Sequence, residues 1–88
     1  MSQLVRYHDG ERWISALVTV GHKHLHAVYL DDCGVRVLTE PKEQLRHAEP
    51  LMRRGQPYPL ERFLRHMRRF AKERGITVEA RKLLEGAA

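Results

Sequence analysis

The sequence contains one cysteine, one tryptophan and two phenylalanines among 88 residues, and its apolar residues occur only in short runs. A single cysteine, Cys33, excludes a disulfide within the chain and is typical of a reducing compartment, so we expect a cytoplasmic location. No apolar run approaches the roughly 20 residues that a transmembrane helix needs. Residues 1–20 have no basic start, long apolar segment or cleavage site, so we expect neither a signal peptide nor a membrane partner.

Enough apolar residues remain for one domain with a small core. Hydrophobic residues make up 42% of the chain, and a domain of this length buries roughly 60% of the surface that its unfolded chain exposes. The charge is unevenly distributed, because residues 1–50 carry a formal net charge of −1 and residues 51–88 carry +6. The positive excess therefore belongs to the C-terminal segment, where eight of ten basic residues are arginine.

The N-terminal half has the residue types and turns of an antiparallel sheet. Runs rich in β-branched and aromatic residues are separated by glycine-containing turns such as Asp9-Gly10. These runs predict four strands within residues 4–7, 13–20, 25–30 and 35–38. Pro41 then interrupts the hydrogen-bonded ladder, residues 42–44 suit one helical turn, and residues 45–48 predict a brief fifth strand.

The C-terminal half changes to helical periodicity. Residues 51–58 predict a linker, and Pro59 suits the first position of a helix. The apolar residues that follow recur three or four positions apart and share an arc of about 120°. They are Leu60, Phe63, Leu64, Met67, Phe70 and Ala71. Gly75 is expected to end this helix, and Thr77 to cap a second helix that reaches Glu85.

Four stretches, read in order, resemble the SH3-like barrels of the Tudor kind. They are W-I-S-A-L-V, L-H-A-V-Y-L-D-D-C-G, V-R-V-L and P-K-E-Q-L-R, and they lie within residues 12–50. The resemblance implies a small antiparallel barrel, which informs the fold more than the role because many unrelated proteins use it. We therefore predict an α+β chain of one domain over residues 1–88, with an SH3-like barrel over 2–50 and a helical hairpin over 59–86. The apolar face of the first helix is expected either to close the barrel or to form a homodimer contact.

The same resemblance implies a candidate aromatic cage, which in Tudor domains holds a methylated lysine or arginine by cation–π attraction. Position by position, the cage residues are Tyr7, Trp13 and Tyr29, and Asp32 stands where the family has a further aromatic residue. The alternative is that these rings fill the core or pack on the surface. Trp13 or Tyr29, if exposed, is also a candidate stacking site for nucleic-acid bases.

Signals for a metal site or for catalysis are weak. His22, His24 and His26 alternate near a predicted turn, and an H-x-H pair on a strand is able to hold zinc, but no second cluster has the spacing of metal ligands. We expect these histidines to face solvent instead.

Cys33 follows two acidic residues, and the sequence shows no histidine partner for it, so it lacks the surroundings of an activated thiolate. We therefore expect a non-enzymatic protein without metal or cofactor.

The arginine-rich segment favours a small accessory or regulatory module that binds nucleic acid. Arg62, Arg65, Arg69 and Lys72 project from the first helix on the side opposite its apolar face. Arg65 and Arg69 are the preferred phosphate contacts, with Arg62, Arg68 and Lys72 beside them. Such a surface neutralises phosphates of DNA or RNA without reading sequence, and its affinity falls steeply with salt. A solvated helix face without any ligand is the simpler alternative.

A second hypothesis is a protein-interaction module that acts as a regulator or inhibitor of a larger assembly. The cationic helix would then meet an acidic surface of a protein partner, and the opposite charges would speed association. The two hypotheses use the same basic residues, because carboxylates and phosphates both satisfy a guanidinium group.

Overall fold

Four long strands, each paired antiparallel with the next, make up the first half of the chain. The structure is a computed structural model that describes residues 2–87, with side chains described through residue 86. The strands are β1 (Ser2–His8), β2 (Trp13–Val20), β3 (His24–Asp31) and β4 (Gly34–Pro41). All four predicted strands are therefore confirmed, and each is longer than or equal to the segment that its β-branched and aromatic residues indicated.

A 3₁₀ helix (Lys42–His47) follows β4 and leads into a two-residue strand, β5 (Glu49–Pro50). The predicted brief fifth strand is present, but it lies at residues 49–50 and not at 45–48, because the single expected helical turn continues through residue 47. β5 pairs with β1, which gives the sheet the order β4-β3-β2-β1-β5. The α+β class and the antiparallel sheet are thus confirmed, but β4 and β5 lie at opposite edges and the sheet over the described residues is not closed into a barrel.

Residues 51–58 form a short hairpin and not the predicted linker. Its strands are β6 (Met52–Arg53) and β7 (Gln56–Pro57), which pair antiparallel in a separate two-stranded sheet. The two residues between them, Arg54 and Gly55, both have positive φ, at 53° and 79°. This conformation suits the two-residue turns that follow the right-handed twist of paired strands. The hairpin places Arg53 and Tyr58 beside the first helix.

Two helices complete the fold, α1 (Leu60–Arg74) and α2 (Val78–Ala87), and both were predicted. Pro59 is the residue before α1 and not its first helical residue. Gly75 ends α1 with a φ of 101°. The hydroxyl of Thr77 accepts a hydrogen bond from the backbone N–H of Ala80 at 3.2 Å, which confirms the predicted cap of α2. No helix among the described residues has the length and apolar character needed to cross a membrane.

Both faces of the five-stranded sheet bury apolar side chains. One face, which we call the inner face, holds a cluster of Val5, Tyr7, Ile14, Ala16, Val18, Leu25 and Ala27, against which Leu45 and Ala48 pack. The opposite, outer face buries Leu17, Val28 and Val35 beneath the helices. The helix residues that cover them are Phe63, Leu64, Met67, Ala80 and Leu84. The apolar face of α1 is therefore covered by the chain's own sheet.

Candidate nucleic-acid interface

Four arginines from two elements line one groove, which we call the arginine groove. Arg62, Arg65 and Arg69 recur at helical spacing along one side of α1, and Arg53 of the β6–β7 hairpin faces them. Tyr58 and His66 complete the lining, and the groove has a volume of about 430 Å³. The hairpin thus adds a fourth guanidinium group to three that the helix periodicity had already placed together.

The arginine groove is cationic, because four arginines line it and no carboxylate side chain of the described residues does. Glu61 and Glu73 belong to the same helix, but neither contributes to the groove wall. Among the described residues the ion pairs are Arg6–Glu49 and Arg36–Asp31, and neither involves a groove arginine. Four arginines that line one groove, none of them in an ion pair among the described residues, favour an anion with several acceptor oxygens.

The five basic residues predicted as one phosphate-binding face divide between two sides of α1. Arg62, Arg65 and Arg69 line the arginine groove, whereas Arg68 and Lys72 line another groove, of about 310 Å³, between α1 and α2. Arg81 and Glu85 of α2 are part of that second lining. Its positive charge is partly offset by the carboxylate of Glu85, so the arginine groove is the more strongly cationic of the two.

The structure places the four residues of the predicted aromatic cage apart, with Tyr7 and Trp13 on opposite faces of the sheet. Tyr7 lies opposite Ile14 in the β1–β2 pairing, and Trp13 lies opposite His8. Successive side chains of a strand point to opposite faces, so Tyr7 points to the inner face and Trp13 to the outer face. Tyr29 packs against the inner cluster with Tyr7. Asp32 is exposed at the turn between β3 and β4.

Tyr7 is a core residue, in agreement with the alternative reading of these rings. Its side chain is 1% exposed, and its hydroxyl has no hydrogen-bond partner among the described residues. Burial, with a smaller contribution from the negative charges of Glu40 and Asp9, raises the pKa of Tyr7 to about 12. A buried, neutral phenol offers no surface to a ligand.

Trp13, in contrast, is a surface residue, with 54% of its area exposed. The Arg6 guanidinium carbon lies 4.8 Å from the centre of the indole ring, and the His8 ring meets the indole edge-on at 5.6 Å between centroids. Arg6 also forms an ion pair with Glu49 of β5. The indole is thus held on the outer face by neighbours on β1 through cation–π and edge-to-face contacts.

A third groove, of about 430 Å³, lies between Trp13 and α1, and we call it the tryptophan groove. Its lining is largely apolar and includes Leu30, Leu51, Met52, Phe63 and Met67. Arg53, Tyr58 and His66 line both this groove and the arginine groove. An exposed indole, an apolar depression and a cluster of guanidinium groups therefore form one continuous surface.

His22, His24, His26 and Cys33 do not form a metal site in the part of the chain that the structure describes. His24 and His26 belong to β3 and lie on the outer face of the sheet, whereas His22 lies in the preceding turn. The ring of His26 forms a hydrogen bond with the Thr39 hydroxyl at 3.0 Å. Cys33 is exposed, and its backbone N–H donates to a carboxylate oxygen of Asp31 at 2.7 Å. Among the residues that the structure describes, no three histidine, cysteine or acidic side chains group in a way that would hold a metal ion.

Sequence reasoning missed Arg53, Tyr58 and His66, which join the two grooves. Arg53 and Tyr58 lie in the segment predicted as a linker, and His66 lies at the edge of the basic face of α1. The only signal for the hairpin was Gly55, which suits the positive φ that it adopts. Comparison of the chain with protein-family models, with curated proteins and with solved structures finds no match.

Proposed function

We propose that this domain is a non-enzymatic module that binds nucleic acid, with the arginine groove as its contact for phosphates. The observation that carries the proposal is that four arginines line one groove, to which no carboxylate side chain of the described residues contributes. A guanidinium group donates two parallel hydrogen bonds to a phosphate, and each neutralised phosphate releases condensed counterions. Contacts of this kind bind DNA or RNA without specifying a base sequence.

Charge reversal within the arginine groove is the direct test. The variant Arg65→Glu/Arg69→Glu replaces two guanidinium groups by carboxylates. Both residues are exposed on α1, so the change leaves the apolar core intact. We expect binding to a labelled DNA or RNA oligonucleotide, followed by fluorescence anisotropy at low salt, to be lost. Unchanged affinity in this variant, or no binding by the wild-type chain at low salt, would rule the proposal out.

The matched control has the same change in net charge at a distant place. Lys23 precedes β3, and Lys42 follows β4. Leu30, which lines the tryptophan groove, lies near the other end of β3. Lys23→Glu/Lys42→Glu is expected to retain most of the affinity, because its charges act only through longer, screened distances. Equal losses in the two double variants would mean that overall charge, and not the groove, determines binding.

An acidic protein surface is the competing partner. Two results together would favour it. Purified nucleic acids would fail to bind the domain, and one acidic protein would stay bound to it after nuclease treatment. That protein would not bind the Arg65→Glu/Arg69→Glu variant. A retained protein that is lost on nuclease treatment would instead indicate a nucleic-acid bridge, in keeping with the proposal.

A further inference from the structure

We infer that the nucleic acid bound by this domain is single-stranded, with an unpaired base stacked on Trp13 in the tryptophan groove and its neighbouring phosphates in the arginine groove. This inference rests on the proposed function and adds the class of nucleic acid to it. The two grooves share Arg53, Tyr58 and His66, so one continuous ligand is able to occupy both. A nucleotide has the matching character, because it joins a flat apolar base to a charged phosphate.

The exposure of Trp13 is the first observation that supports a base-stacking role. Trp13 is 54% exposed on the rim of an apolar groove. Large exposed aromatic rings beside an apolar depression are a feature of binding surfaces. Stacking of a base would remove this indole surface from water and would be tolerant of base identity, since every base has a π-face.

The fixed position of the indole is the second observation. Arg6 lies over the ring, His8 contacts its edge, and the ion pair between Arg6 and Glu49 ties this arrangement to β5. A ring already held in place loses little conformational entropy when a ligand binds, so more of the stacking free energy becomes affinity. The volume of about 430 Å³ is within the range of grooves that accept small ligands.

The charge next to the groove selects the ligand. A purely apolar groove would suit a hydrophobic peptide, but Arg53, Arg62, Arg65 and Arg69 add four positive charges immediately beside this one. In a duplex the faces of the bases are stacked on each other, and exposing one costs a few kcal/mol. A single strand presents its bases freely, so it contacts both grooves without that cost.

Trp13 is the single tryptophan of the chain, so its fluorescence reports directly on this groove. The probes are an oligothymidylate of about 12 nucleotides and an abasic oligomer of the same length, which has the same phosphates but no bases. We expect the oligothymidylate to quench Trp13 fluorescence and to bind roughly 5- to 150-fold more tightly than the abasic oligomer.

Trp13→Ala is expected to lower the affinity for the oligothymidylate to that of the abasic oligomer, while the affinity for the abasic oligomer stays unchanged. Trp13→Phe keeps an aromatic face and is expected to retain part of the difference. Val78→Ala removes another exposed apolar side chain, on α2, and is expected to change neither affinity. Circular dichroism and thermal unfolding of each variant show whether the fold is kept.

The outcomes separate the two proposals. Equal affinity for both oligomers, without quenching, would overturn base stacking and leave phosphate binding standing. Binding of neither oligomer would overturn both proposals. Retention of the full preference for oligothymidylate in Trp13→Ala would place the base elsewhere and would also overturn this inference.

Discussion

Gly34 lies in very close contact with the backbone of Gly75. A Cβ atom at Gly34 would be 2.5 Å from the Gly75 carbonyl oxygen. Gly34 is the first residue of β4, and Gly75 ends α1. The backbone N–H of Val35 donates to that same carbonyl at 3.1 Å. The N–H of Thr77 in turn donates to the carbonyl of Val35 at 3.1 Å. The turn between the helices is thus joined to the β4 edge of the sheet by backbone hydrogen bonds that require this close approach.

Gly34→Ala is expected to lower the free energy of unfolding by about 2–3 kcal/mol, because the methyl group would force this joint apart and Gly34 has a positive φ of 127°. The measurement is urea unfolding followed by circular dichroism. Gly10→Ala is the matched control, because Gly10 also has a positive φ, 104°, but open space around its Cβ position. Equal losses in both variants would show that backbone strain alone, and not the contact with Gly75, sets the effect.

A fragment ending after Pro57 is expected to be poorly folded. It would lack both helices and would expose the outer-face residues Leu17, Val28 and Val35, which are at most 1% exposed in the full chain. Uncovering such side chains costs roughly 1.5–3 kcal/mol each, a large part of the stability of a small domain. A broad, non-cooperative urea transition of the fragment is the expected result, and a cooperative one would contradict it.

Stability is expected to decline between pH 10 and 12 through the ionisation of Tyr7. Burial raises the pKa of Tyr7 from 10.0 to about 12, so the folded state holds this proton more tightly than the unfolded chain. The resulting stabilisation is complete below pH 10 and is lost as the pH rises through the folded-state pKa. Urea unfolding over this range measures the decline.

Tyr7→Phe separates this contribution from that of other groups that titrate in the same range. Its decline between pH 10 and 12 is expected to be smaller than that of the wild-type chain. At neutral pH the variant should be as stable or up to about 1 kcal/mol more stable, because it removes a buried hydroxyl that has no hydrogen-bond partner. A parallel decline in both proteins, or a clear loss of stability at neutral pH, would contradict the role given to this hydroxyl.

The salt dependence of binding is expected to match the number of arginines in the arginine groove. Four phosphate contacts to a single strand predict a slope of log affinity against log salt of about −3, so a fourfold rise in salt weakens binding roughly 50-fold. Arg65→Gln/Arg69→Gln removes two of the four contacts and should reduce the slope to about −1.4. Anisotropy titrations at several salt concentrations give both slopes, and an unchanged slope in the variant would mean that these arginines do not contact phosphates.

The strands and helices were largely predictable because their signals are local. The periodic apolar residues of α1 and the glycine at its end predicted its extent within one residue. The β6–β7 hairpin was not predictable, because its turn residues, Arg54-Gly55, lack the usual asparagine or aspartate before glycine. The separation of Tyr7 from Trp13 was also hidden, since the face that each ring occupies depends on the register between β1 and β2.

The sequence by itself determined the order of the elements, the concentration of positive charge after residue 50 and the amphipathic face of α1. Each follows from composition or from periodicity within one segment. The tertiary structure alone decided which charges act together. Helix spacing placed Arg65 and Arg68 on one basic face, but packing against the hairpin and against α2 assigns them to different grooves. A groove forms where elements that are distant in the chain pack side by side, and a local pattern of residues does not predict which elements do so.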